Sequence, residues 1–218
     1  MSISPHEFCG DAFDLDQYLA AQEKTKQVVL NFSKKVIPGM KESSALTLLE
    51  QMLDESRLEK RWHPTKFRMG SNTTKNFRDE SQDYILKEDD IFFADIGPVY
   101  NNHEGDYGET FTVGNGIRLK EIAAASKAIF LETQKTWKEK KLTGRSLYEY
   151  ADQEAKKYKL KLNSNMYGHR LGDFPHAVHT RAKLGDLPFH PSPILWVLEI
   201  HVIDESLGVG AFYEDVLT

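Results

Sequence analysis

"DIFFADIGPVYNNHEGDYGET" runs from Asp90 to Thr110. An apolar run, Ile91-Phe92-Phe93-Ala94, leads straight into Asp95, and eleven residues later Asp106 follows among glycines. In a strand, alternate residues share one face. Asp95 therefore shares a face with Ile91 and Phe93. The pattern recurs near the C-terminus. In "ILWVLEIHV" Glu199 shares a face with Leu195 and Val197, and in "GVGAFYEDV" Glu214 shares a face with Phe212 and Val216. If those faces are buried, the carboxylates are buried with them. An isolated buried carboxylate costs several kcal/mol or takes up a proton.

One such acid could pair with a lysine or arginine. Three, with Asp106 as a fourth, are explained more economically by a shared cation. Oxygen ligands with an imidazole suit divalent Mn, Fe, Co or Zn. The imidazole candidate lies in "MYGHRLGDFPHAVH", where His169 and His176 are seven residues apart and glycines at 168 and 172 allow close backbone approach. That spacing does not match the helical HExxH zinc pattern. Any one acid near a strand end is more often a turn former, a cap or a solvated edge residue. A lone histidine is more often structural. Asp215 follows Glu214, so either acid could face solvent, and His201 and Trp196 read as packing or surface residues. Spacing alone leaves both readings open.

Around these motifs the chain reads as α+β. Helices are expected at about Asp14–Ile37 (ended by Pro38-Gly39), Ser43–Ser56, Ile117–Lys140 and Ser146–Lys157. Ser146 with Glu149 forms a capping-box pattern for the last. Strands are expected at about 65–69, 91–96, 106–113, 194–203 and 209–217. Two helix pairs, each followed by strands, predict one central antiparallel sheet.

Composition bounds the function class. The 218 residues are 40% hydrophobic and 28% charged, enough for one globular domain. The net charge of −5 argues against a nucleic-acid or anionic-membrane binder, and no apolar stretch has the length of a membrane span. The N-terminus lacks a signal-peptide pattern, and Cys9 is the single cysteine, which excludes an internal disulfide and fits a cytoplasmic protein.

The order Asp95, Asp106, His169, Glu199, Glu214 resembles the methionine aminopeptidase, prolidase and creatinase family, the pita-bread metallopeptidases. The segments that carry the resemblance are "DIFFADIGPVYNNHEGDYGETFTVG", "YGHRLGDFPH", "LEIHV" and "AFYED", and "VIPGMKESSALTLLEQML" is similar to the family's early Pro-Gly junction. The resemblance implies a pseudo-symmetric pita-bread domain over 1–218, residues 1–13 being an extension, with a curved antiparallel sheet and helices on its outer face. It implies two divalent metal ions (Mn, Co, Fe or Zn). Asp95 would chelate one, His169 and Glu199 the other, and Asp106 and Glu214 would bridge them. Glu199 would shuttle a proton from an activated bridging water, and His176 would contact the substrate carbonyl. The activity implied is cleavage of an N-terminal peptide bond in a short peptide or small amide, with "GDYGETF" closer to the Xaa-Pro branch.

Some residues depart from the family. Glu109 stands where the Xaa-Pro pattern has Arg, and Ile200 follows Glu199 where Pro is usual. Phe77 occupies the place of a substrate-binding histidine, for which His63, much earlier, is a possible replacement. His63, His103 and His179 read in themselves as surface or supporting residues. The Phe77 change leaves open a creatinase-like hydrolase of a small non-peptide C–N bond. A binding protein on a retired catalytic scaffold is a further alternative, disfavoured because all five ligand positions are kept. The chain stops four residues after Glu214, so the last strand is expected to be a poorly supported edge that a homodimer could cover.

Overall fold

The computed structural model describes residues 4–171, 180 and 182–218. Helix α1 (Leu15–Ser33) is capped by Asp14, whose carboxylate accepts from the N–H groups of Asp16 and Gln17. It ends short of Ile37, because Lys35 and Val36 turn their N–H groups back onto the Phe32 and Ser33 carbonyls ahead of Pro38. Helix α2 (Glu42–Glu55) follows, then strands β1 (Lys60–Arg61), β2 (Lys66–Met69), β3 (Asp90–Ile96), β4 (Pro98–Tyr100), β5 (His103–Glu104) and β6 (Tyr107–Val113). The second half repeats the plan with α3 (Ile117–Lys140), α4 (Gly144–Lys157), β7 (Lys161–Leu162), β8 (His169–Arg170), β9 (Trp196–Asp204) and β10 (Val209–Val216). Helix α4 starts earlier than the expected Ser146 cap. The Thr143 hydroxyl accepts from the Ser146 N–H, so the cap lies three residues upstream.

The seven-stranded main sheet runs β2-β3-β6-β10-β9-β7, with β8 paired to β9, and every pairing in it is antiparallel. Its two halves correspond. Each consists of two helices followed by strands ordered from the rim to the centre: β2, β3 and β6 in one, β7, β9 and β10 in the other. This is the pseudo-symmetry that the resemblance implies. Strand β10 is not an edge. It lies between β6 and β9, so the expectation of a bare last strand fails, and with it the ground for a covering homodimer. The reason is that the two half-sheets join through β6 and β10, the last strand of each.

A second, three-stranded sheet, β1-β4-β5, was not expected. Gly97-Pro98 breaks the strand after Ile96, and Asn101 and Asn102, both at positive φ (47° and 59°), form the tight turn from β4 to β5.

Alternation sorts the main sheet into two faces. Phe92, Ala94 and Ile96, with Leu198, Ile200, Val202, Ala211 and Tyr213, pack against Val29, Phe32, Leu49, Ile122 and Ile129 of the helices. Ile200, in the place of the family's proline, belongs to this core. The other face carries Asp95, Glu199 and Glu214. Among the described residues no helix is long and apolar enough to cross a membrane.

Candidate metal centre

The acids lie in one row. Strand register sets Asp95 opposite Gly108, Gly108 opposite Glu214, and Glu214 opposite Glu199, across β3, β6, β10 and β9. Asp106, one residue before β6, shares the face of Gly108. The row closes up because position 108 has no side chain. A Cβ there would lie 2.5 Å from the Phe212 ring and 3.0 Å from Glu214 Oε1. His169 enters from β8, opposite Val197 of β9. It is preceded by Gly168 at φ +59°, where a Cβ would stand 2.3 Å from the Val197 carbonyl. Glu214 faces inward, whereas Asp215 faces out to Lys26 at 2.6 Å.

The carboxylate of Asp106 lies between two imidazoles. His169 Nε2 is 3.1 Å from its Oδ2 and His63 Nε2 is 3.3 Å from its Oδ1. His169 Nε2 also approaches Glu199 Oε1, and His63 Nε2 approaches Asp95 Oδ1, each at 3.6 Å. His63 thus reaches the site and is not a surface residue; its place in the cleft is the one that replacing the histidine absent at Phe77 would require. It also lies edge-on to Phe77, with ring centroids 5.7 Å apart. His103 caps the chain instead, its ring accepting from the Asp14 N–H. His201 is fully buried, and its ring bonds the Thr73 carbonyl and the Asn163 amide; burial lowers it to about 4. With Phe93 and Phe212 it forms the floor beside the acids. His176 and His179 lie outside the described residues.

Glu109 does not enter the cleft. It points to the helix side, accepting from Tyr107 Oη at 2.5 Å and pairing with Lys127 at 2.7 Å.

Two residues missed in the sequence hold the acids in place. Gln22 of α1 donates from Nε2 to the Asp106 carbonyl (2.7 Å) and accepts its N–H (2.8 Å). Tyr148 of α4 donates to the Glu199 carbonyl (3.0 Å) and accepts its N–H (3.2 Å). A glutamine on the buried, mostly apolar face of α1 was the available signal for the first.

Charge repulsion and burial shape the titration of the group. Burial raises Asp95 and Glu199 above their ordinary values, and burial together with the neighbouring acids pushes Glu214 well above its own. Asp106 is the exception. Burial disfavours its charge, but the hydrogen bonds of His169 and His63 outweigh this and hold it well below the usual value. Burial likewise disfavours charge on both imidazoles. The surrounding acids overcome it and raise His63 and His169 to about 10.

The residues fit a bound cation. Asp106, His169 and Glu214 place ligand atoms within 4.8 Å of one another, as do His63, Glu104 and Asp106. Glu214 Oε1 is buried without a hydrogen-bond partner among the described residues, a costly arrangement for a carboxylate lacking an ion. The acids border a cavity of about 420 Å³ walled by Trp62, Phe77, Met166 and Tyr167.

Comparison with known proteins shows the fold and the family. The chain superimposes on an X-Pro aminopeptidase from Thermotoga maritima (TM-score 0.75, 19% identity), covering 96% of this chain and 59% of that one. A prolidase from Pyrococcus furiosus matches with TM-score 0.71 and 19% identity over 93% of this chain and 59% of that one. A methionine aminopeptidase from Thermotoga maritima matches with TM-score 0.70 and 14% identity, over 96% and 94%. The chain thus spans about three-fifths of the X-Pro aminopeptidase and the prolidase. No curated protein sequence matches it. The fold is the pita-bread fold of these structures, the model of metallopeptidase family M24 matches residues 16–216, and the chain belongs to that family.

Proposed function

We propose that the chain is a dinuclear metal-dependent aminopeptidase of the Xaa-Pro type. The observation that carries this is the row Asp95, Gly108, Glu214, Glu199, which sets three carboxylates around the Asp106–His169 pair at the base of one cleft. Asp95 would hold one divalent ion, His169 and Glu199 the other, with Asp106 and Glu214 between them. When bound, such ions acidify a water and neutralise the charge that develops on a scissile carbonyl.

The chain's own groups supply the rest. Burial raises the Glu199 carboxyl, so it can hold a proton nearer neutrality and hand it to a leaving amine. Tyr148 fixes the backbone of Glu199 and so the reach of its carboxyl. His176 is assigned to the substrate carbonyl from the family motif. Trp62, Phe77 and Tyr167 offer flat apolar walls that suit a proline ring and exclude water from it. The X-Pro aminopeptidase and prolidase among the structural neighbours support the same choice. The single cysteine supports a cytoplasmic setting.

The test is a panel of Xaa-Pro and Met-Xaa peptides offered to protein reloaded with Mn, Co, Fe or Zn. Preferred cleavage before proline is expected. Preference for Met-Xaa peptides, or turnover only of small amides and guanidino compounds, would reject the Xaa-Pro assignment.

A further inference from the structure

His63 is carried by the short connection between β1 and β2, away from the segments that bring the four acids and His169 together. Its position is built. The Trp62 N–H donates to the Gly97 carbonyl at 2.7 Å, anchoring the connection to the end of β3. The imidazole then packs against Gly97. A Cβ at that position would stand 2.3 Å from His63 Cδ2, 2.4 Å from its Nε2 and 3.1 Å from Glu104 Oε1. Phe77 packs edge-on to the same ring.

The two imidazoles of the cleft among the described residues are arranged alike. His63 Nδ1 is 3.1 Å from the Pro64 carbonyl, and His169 Nδ1 is 3.1 Å from the Arg170 carbonyl, each the carbonyl of the next residue. A carbonyl at Nδ1 keeps a proton there and directs Nε2 toward the acids, so Nε2 is the nitrogen free to bind an ion once its own proton leaves. That is how a metal-binding imidazole is oriented by its surroundings. Nε2 of His63 meets Asp106 Oδ1 and Asp95 Oδ1 at 3.3 and 3.6 Å, and Nε2 of His169 meets Asp106 Oδ2 and Glu199 Oε1 at 3.1 and 3.6 Å. The arrangement on one side of Asp106 thus repeats on the other.

We propose that His63 is a further metal ligand, its Nε2 binding the ion held by Asp95 and Asp106, so that each of the two metal positions carries one imidazole. This rests on the two-metal reading given above and adds to its five ligands. It has a chemical consequence. A position ligated by oxygen alone suits hard ions such as Mn²⁺, whereas an added imidazole favours Co²⁺ and Zn²⁺. Removing His63 should move that position back toward manganese.

The experiment titrates metal-stripped protein with Co²⁺ in the absence of substrate, following bound metal and the visible absorption of the ion. Wild type, His63→Ala, His63→Gln and Gly97→Ala are compared; the last displaces the ring without touching a ligand. Wild type should bind about two equivalents. In the variants one equivalent should weaken at least about tenfold, with a changed spectrum. Free imidazole added to His63→Ala should restore both. If wild type binds two equivalents and every variant titrates with the same affinities and spectrum, His63 is not a ligand. If wild type itself binds no cobalt, the two-metal reading fails, and this inference with it.

Discussion

Gln22 holds Asp106 by both of its backbone groups, donating to the carbonyl at 2.7 Å and accepting the N–H at 2.8 Å. The side-chain amide of a helix residue thus does for Asp106 what a neighbouring strand does for Asp95. Asp106 lies just before β6 begins, where the ladder gives it no partner of that kind. Replacing Gln22 by Ala leaves a buried N–H and a buried carbonyl unsatisfied. Each such group costs about 1–3 kcal/mol, so the urea midpoint should fall by a corresponding amount and metal affinity should fall with it. An unchanged midpoint would show that the clamp contributes nothing.

Gly108 is the gap in the acidic row. Gly108→Ala drives a methyl group into the Phe212 ring and up to Glu214 Oε1. Overpacking of this kind costs about 1–3 kcal/mol. Because the collision falls on a carboxylate of the site, metal binding should weaken by about tenfold or more even in folded protein. Calorimetric titration of the variant with Mn²⁺ or Co²⁺ checks this. Wild-type affinity would mean that Glu214 does not touch the ion.

Metal loading should expel protons. His169 is raised to about 10, so at neutral pH the metal-free site holds a proton on it, and the upward shift of Glu214 acts in the same direction. An ion binds the deprotonated forms. Affinity should therefore rise as pH increases toward about 10, and fall as pH drops. Titration in weakly buffered solution at neutral pH should release at least one proton per chain loaded. Affinity independent of pH across that range would contradict the assignment of these ligands.

Tyr148→Phe removes one hydroxyl that both donates to and accepts from the backbone of Glu199. It leaves the Glu199 N–H and carbonyl without that partner, so stability should fall, by about 1–3 kcal/mol for each group left unsatisfied. If Glu199 handles the proton, kcat should fall more than KM rises, with bound metal unchanged. An unaltered kcat would separate the tyrosine from catalysis.

Strand parity made the acids legible. Asp95, Glu199 and Glu214 show as charges on faces that alternation marks as buried, and alternation depends only on neighbours in the chain. The helices were legible for the same reason, with errors at their ends, where Thr143 rather than Ser146 caps α4. Long-range placement was not legible. His63 reaches Asp106 only because β1 and β4 pair and Gly97 leaves room for the ring. Gln22 and Tyr148 act across the thickness of the sheet, which no local period records. The position of β10 between β6 and β9 depends on how two half-sheets join, so a strand that looked like an edge from its place in the chain is central.

The measurement that bears most directly on the central claim is metal content and peptide cleavage by the same metal-stripped protein, before and after reloading, beside Asp106→Ala treated identically. The account predicts about two ions per reloaded wild-type chain, cleavage only after reloading, and loss of both in the variant. Cleavage by fully stripped protein, or undiminished metal binding and cleavage in Asp106→Ala, would contradict it.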